Sequence, residues 1–285
     1  MRQRRIGSFS VSAVGLGGMP MSIPGRKDRD TSIATVHAAL DAGVTLIDTA
    51  DAYTSPTDGQ GHNEILIAEA LASYGADTSQ VLVATKGGLL YADPGPWVRS
   101  GQPDYLTVAA KQSATRLGVE TIGLYQFHRP DPEVPYAESI GALKDLVAAG
   151  VIRHVGISNA NVDQIREARG ILGDDLVSVQ NQFSPAYLDS RAELELCAKL
   201  GLAFLPWSPL GGIRRAGDLA DDHAVFGEVG REVGASPQQV ALAWELSLAE
   251  IVIPIPGASQ PASITDSAKA ADLELSAEQL ARLGA

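Results

Sequence analysis

The chain has 285 residues, a formal net charge of −12, 45% hydrophobic and 20% charged residues. That length suits one large core and the composition is ordinary for a globular protein, while the acidic balance argues against a nucleic-acid partner, whose phosphates demand a basic face. The single cysteine, Cys197, excludes an intramolecular disulfide framework and points to a reducing compartment.

Met1 to Arg5 is basic, but no apolar stretch follows, so it does not read as a secretory signal. No run approaches the roughly 20 apolar residues of a membrane helix, so the expected location is the cytoplasm, with no membrane partner. Residues 1–11 are expected to form a short β-hairpin. Strands are then predicted over residues 12–16, 44–47, 81–84, 122–127, 153–157, 176–180, 202–206 and 251–254. Several lack alternation, as strands buried on both faces do. Between them, helical spacing marks residues 31–42, 64–74, 105–117, 136–149, 162–168, 191–200, 238–247 and 262–271, with a last short helix over 276–283. Gly43, Gly118, Gly150 and Gly201 stand where helices close on a left-handed residue.

Strand and helix alternate eight times, which predicts a closed (β/α)₈ TIM barrel forming one domain over residues 1–285. An open doubly wound sheet is the rival. Two longer excursions, residues 89–103 and 211–222, follow strands and so fall at the barrel end that carries active sites.

Four strand ends carry the chemistry: Asp48-Thr49-Ala50-Asp51-Ala52-Tyr53, Thr85-Lys86-Gly87-Gly88, Phe127-His128-Arg129-Pro130 and Gly156-Ile157-Ser158-Asn159. Tyr53 is the candidate acid. Its ordinary pKa is about 10, and an ammonium about 4 Å away supplies ~4 kcal/mol at an effective dielectric near 20. Lys86 is therefore expected to lower the phenol toward neutrality. Asp48 would keep Lys86 charged and aimed, and His128 would orient the substrate oxygen or share the proton relay. Ser158, Asn159 and Gln180 offer the donors and acceptors that a nicotinamide carboxamide needs, and Trp207 offers a face for a flat ring.

Gly15-Leu16-Gly17-Gly18 lacks the last glycine of a dinucleotide-binding turn, with Pro20 in its place, so a Rossmann reading is rejected. No cluster has metal-ligand spacing.

Taken in order with Pro206-Trp207-Ser208-Pro209-Leu210-Gly211 and Val252-Ile253-Pro254-Ile255-Pro256-Gly257, these motifs make the chain resemble the aldo-keto reductases over nearly its whole length. The resemblance implies a barrel that reduces aldehydes or ketones with NADPH, NADH being the alternative. It implies the tetrad Asp48, Tyr53, Lys86 and His128, with Tyr53 as proton donor. It also implies cofactor contacts from Ser158, Asn159, Gln180, Trp207, Ser208, Leu210, Gly211, Gly257, Ser259 and Ser263. The segment after the last strand departs from the family pattern. It carries no Lys or Arg before Lys269, which leaves the 2′-phosphate of NADPH to Ser259, Ser263 and the loop residues Arg214 and Arg215. Met19, Tyr91 and Trp97 are expected to line the substrate pocket with Tyr53 and His128; Arg99 nearby reads as a solvated loop arginine, binding of an anionic group being the alternative.

Overall fold

The computed structural model describes residues 1–91, 97–213 and 215–284. The chain opens with an antiparallel hairpin, β1 (Gln3–Ile6) and β2 (Phe9–Ser12), in which Arg4 pairs with Val11 and Ile6 with Phe9. It turns at Gly7, whose φ of +55° favours glycine. Ile6 and Val11 are fully buried against Leu46, Leu124 and Ile253, so the hairpin plugs one end of the barrel.

Strands and helices then follow in order: β3 (Leu16–Gly17), α1 (Arg29–Asp41), β4 (Leu46–Asp48), α2 (His62–Ser73), β5 (Leu82–Gly87), the small hairpin β6 (Leu89–Leu90) and β7 (Val98–Arg99), α3 (Pro103–Leu117), β8 (Ile122–Phe127), α4 (Tyr136–Ala148), β9 (Ile152–Ser158), α5 (Val162–Leu172), β10 (Leu176–Gln180), α6 (Arg191–Leu200) and β11 (Ala203–Phe204). The chain ends with α7 (Leu219–Asp222), α8 (Ala224–Val233), α9 (Pro237–Leu248), α10 (Pro261–Ala268) and α11 (Ala277–Leu283). Local chemistry sets the helix ends. Asn161 and Gln164 form a capping box on α5, Ser236 caps α9 ahead of Pro237, and α3 starts on Pro103 and stops at Gly118 with φ +68°.

Seven strands form one parallel sheet in the order β11-β10-β9-β8-β5-β4-β3. The eighth position is filled by residues 251–257. Ile253 and Ile255 N–H donate to Phe204 and Pro206 O on one side, and Pro254 and Pro256 O accept from Gly15 and Gly17 N–H on the other. Single bridges join Phe204 to Val252 and Gly17 to Gly257, so the sheet closes as a (β/α)₈ barrel. The expected strand 251–254 is thus a seam rather than a regular strand. Pro254 and Pro256 have no N–H to give β3, so only half of that ladder forms. The expected strand 12–16 is divided likewise: Ser12 belongs to the hairpin, and the barrel strand itself is Leu16–Gly17. The expected excursion 211–222 runs into a helix missed in the sequence, α8, whose Phe226 and Val229 are buried in the core.

Side chains alternate across each strand with period two. Leu82 and Ala84 pack inside the barrel and Val83 packs under the helices; Leu46 and Leu124 face in while Ile47 and Tyr125 face out. Two residues further along, the same inward rows carry Asp48, Lys86 and Gln126. In β10, Leu176 pairs with Val155 and Ser178 with Gly156, so Val177 is an extra residue that joins the interior. The barrel is therefore apolar near the hairpin and polar at the carboxyl ends of its strands.

Candidate active site

Lys86 is completely buried, and its ammonium donates three hydrogen bonds: to Asp48 Oδ1 at 2.5 Å, Thr49 O at 2.9 Å and the Tyr53 hydroxyl at 2.9 Å. All three protons of the ammonium are used, so its position is fixed. The other Asp48 oxygen accepts from Gln126 Nε2 at 3.1 Å and Gln180 Nε2 at 2.7 Å. The Gln180 amide nitrogen also reaches Gln126 Oε1 at 3.2 Å. Strand register puts Lys86, Gln126, Gly156 and Ser178 level, and Gln180 reaches back from two residues further along, where it pairs with Ser158. Gly156 is required here: a Cβ would lie 2.8 Å from Gln126 Cγ and 2.5 Å from Ser178 Oγ. Gln126 went unassigned in the sequence, although its place two residues before His128 puts it on the same inward row.

Burial pushes the Tyr53 phenol above its ordinary pKa. Lys86 pulls it down, but less, and Asp48 opposes Lys86. The expectation that Lys86 alone lowers Tyr53 toward neutrality is therefore corrected: desolvation of the phenolate outweighs the ammonium, whose charge Asp48 largely balances. Lys86 lies above its ordinary value; burial works against its charge, and Asp48 and Tyr53 together overcome that penalty. His128 is pushed well below its usual range by burial, then by Lys86 and Arg129, so its imidazole is neutral at pH 7. Its ring stands edge-on to Tyr53 at 5.7 Å.

A second set of bonds holds this group from behind. Thr49 Oγ1 donates to Asn63 Oδ1 at 2.6 Å, and Asn63 Nδ2 donates to Gly18 O at 2.9 Å. Thr85 Oγ1 donates to Glu64 Oε1, and Glu64 pairs with Arg116 at 2.5 Å. Asp51 accepts from Gln60 and Tyr105, yet its burial, with Glu64 nearby, raises the carboxyl to about 7.

A cavity opens above Tyr53 and His128. Ser158, Asn159 and Gln180 form one wall, with Trp207, Ser208 and Leu210 beside them and Gly257 at the seam. Asn159 and Ser208 have φ of +56° and +52°, and both are non-glycine residues in the left-handed region. Such strain gathers at functional sites. Asn181 holds the first turn in place: its side chain accepts from Ala160 N–H at 3.1 Å and donates to Ala160 O at 2.8 Å. Ser158 Oγ donates to Gln180 O at 2.8 Å, and Asn159 Nδ2 to His128 O at 3.0 Å.

Of the expected pocket residues, Met19 and Trp97 line the cavity; Tyr91 stands outside the lining, where Leu89 is found instead. Gly212 lines it where Gly211 was expected. Arg129, unassigned in the sequence although quoted with His128, also lines it. Ser259 and Ser263 flank the start of α10, whose N-cap Gln260 makes no side-chain cap; Pro261 has no N–H and Ser263 N–H donates to Gln260 O at 3.2 Å, so the Ala262 amide is the leading donor that could meet an anion. Arg215 is exposed and ion-paired to Asp222 at 3.2 Å. Arg214 lies outside the described residues. Lys269 stands at the opposite end of α10. Among the described residues, no group of three His, Cys, Asp or Glu is placed to hold a metal ion, and no helix is long and apolar enough to cross a membrane.

A parallel barrel with a Tyr–Lys–Asp–His cluster and a strained polar wall at its mouth defines a class of cofactor-dependent oxidoreductases. A sequence model of the Aldo/keto reductase family matches residues 13–285, and the chain belongs to that family. It is 35% identical over 283 residues to an uncharacterized oxidoreductase of Schizosaccharomyces pombe, covering 98% of this chain and 88% of that one. It is 37% identical over 276 residues to a 6-dehydroglucose reductase of Novosphingobium aromaticivorans, covering 94% and 89%. Among solved structures, an aldo/keto reductase from Klebsiella pneumoniae in complex with NADP and acetate superposes with a TM-score of 0.81 at 26% identity, covering 99% of this chain and 93% of that one.

Proposed function

We propose that this chain reduces aldehydes or ketones to alcohols with NADPH, Tyr53 giving the proton to the carbonyl oxygen. The observation that carries the reading is the Lys86 ammonium fixed between Asp48, Thr49 O and the Tyr53 hydroxyl. NADPH is favoured over NADH by likeness to the Klebsiella pneumoniae protein, which is known with NADP.

The polar wall fits the cofactor. With the Gln180 amide nitrogen committed to Asp48, Gln180 Oε1, Ser158 and Asn159 remain to hold a carboxamide, and Trp207 offers its face to the ring. The indole Nε1 of Trp207 is buried with no partner among the described residues. The Ser259 and Ser263 hydroxyls and the Ala262 amide at the start of α10 would hold the phosphate end, with Arg215 able to join them once released from Asp222. When bound, the cofactor supplies a hydride to the carbonyl carbon.

Every other part belongs to the chain. The raised pKa keeps the Tyr53 phenol protonated across the neutral range, so the acid is loaded before substrate arrives. Neutral His128 positions the carbonyl oxygen by a hydrogen bond. As the proton leaves, Lys86 is 2.9 Å from the oxygen that becomes negative, and Asp48 keeps the ammonium in place. Solvent then returns a proton to Tyr53.

Tyr53→Phe tests the reading. NADPH binding, followed by fluorescence titration with NADH in parallel, is expected to persist while aldehyde-dependent NADPH oxidation falls by about 10³-fold. Undiminished turnover in this variant removes Tyr53 from the proton-donor role.

A further inference from the structure

We propose that Arg129 selects carbonyl substrates that carry an anionic oxygen group, a carboxylate or a phosphate, at the mouth of this pocket. The inference rests on the reductase reading of the same site. Arg129 directly follows His128 at the end of β8 and lines the cavity with it. Its side chain is half-buried, yet its guanidinium makes no hydrogen bond or ion pair with any described residue.

The surroundings sharpen that imbalance. Arg99 Nη1 donates at 3.3 Å to the O of Pro130, the residue after Arg129, so a second positive charge acts on the first. Burial and this neighbour both pull Arg129 below its ordinary pKa. Asp131, two residues on, accepts from Gly101 N–H at 2.8 Å and Glu133 N–H at 3.0 Å, and forms no ion pair with either arginine. Asp48, the only carboxylate among the described lining residues, is held by Lys86, Gln126 and Gln180.

Charges withdrawn from water are ordinarily paired. In a chain of net charge −12, acids are plentiful, yet none of the described ones pairs with Arg129, so an anionic group of a substrate entering the mouth meets a guanidinium unmatched among the described residues. A guanidinium presents a planar fork that matches carboxylate or phosphate oxygens two at a time. Leu89, Trp97, Trp207 and Ile213 line the same cavity, and apolar walls strengthen such a pair by excluding water. Arg129 touches substrate in this reading but not the reacting proton, so it sets choice of substrate rather than the chemistry.

The test uses two matched pairs in the NADPH oxidation assay: benzaldehyde against 4-carboxybenzaldehyde, and glyceraldehyde against glyceraldehyde 3-phosphate. The anionic member of at least one pair is expected to show about tenfold or greater kcat/KM, the scale of one charged hydrogen bond, carried mainly in KM. Which pair responds identifies the carboxylate or the phosphate. Arg129→Gln is expected to bring the ratio close to one, and Arg129→Lys to keep part of it, with NADPH titration verifying that each variant is folded. Reduction of the neutral aldehydes with no preference for either anionic partner overturns the inference and leaves the reductase reading standing. So does a preference that survives in Arg129→Gln. If none of the four aldehydes is reduced, the reductase reading falls and the inference with it.

Discussion

The lower and upper halves of the barrel are built from the same strands by opposite rules. Below, the inward rows are Leu46, Leu82, Ala84 and Leu124, sealed by Ile6 and Val11 of the hairpin. Nothing there asks for a partner beyond close packing. Above, two residues on, the rows become Asp48, Lys86 and Gln126, each needing hydrogen bonds that only the neighbouring strand ends supply. Buried apolar contacts are tolerant of detail, while a buried ion pair is unforgiving when one member is lost. The lower half therefore holds the barrel shut, and the upper half spends stability on geometry.

Substitutions that cross this boundary test the division. The largest effect is expected from Lys86→Met. Reductase turnover should fall by about 10³–10⁴-fold, and thermal denaturation should show a loss of ~3–5 kcal/mol, because Asp48 is left buried without its counter-charge. An active, fully stable variant would erase the distinction between the halves.

Next is Asp51, behind the tetrad. Its folded carboxyl holds a proton up to about pH 7, whereas the unfolded group loses it near pH 4. The burden on folding is therefore absent below about pH 4, grows between pH 4 and about 7 and levels off above that, at an upper bound of about 4 kcal/mol. Asp51→Asn should raise the melting temperature at pH 8 and leave it little changed at pH 4. The reverse trend would show that Asp51 is charged in the folded protein.

Leu124→Ala samples the lower half. It should cost ~2–5 kcal/mol by chemical denaturation while kcat stays within a few-fold of wild type; a turnover loss as large as that of Lys86→Met would join the two halves into one unit. The smallest effect belongs to the cofactor's far end. Asp222→Asn releases Arg215 from an exposed pair worth less than about 1 kcal/mol. NADPH affinity should tighten a few-fold relative to NADH. An unchanged ratio would remove Arg215 from phosphate binding.

Much of this was legible in the sequence because alternation and strand-end motifs are local signals. Helices 191–200 and 136–149 were expected within a residue of where α6 and α4 lie. Helix α8 was missed because Gly227 and Gly230 interrupt it, although Phe226, Val229 and Val233 keep helical spacing. The segment 251–254 reads as a strand by composition, but Pro254 and, just beyond, Pro256 lack the donors that make one. At the site, the motifs named residues that the fold brings together, but not their electrostatics. The sign of the Tyr53 shift depends on desolvation, and burial is a property of the closed barrel rather than of the motif. Arg129 sat in a quoted motif, yet only the fold shows that it lines the cavity.

The proline-bearing closure has a consequence for how the molecule opens. Between β3 and residues 254–256, the strand contact rests on the amides of Gly15 and Gly17, with Ala258 N–H reaching Gly17 O just beyond, whereas β8 and β9 are paired along five positions. In hydrogen–deuterium exchange, the amides along that line should trade first and those of β8 and β9 last. The cylinder thus has a zip: the first and last strands part before the middle of the sheet loosens, and they meet directly beneath the wall where Gly257 faces the cavity.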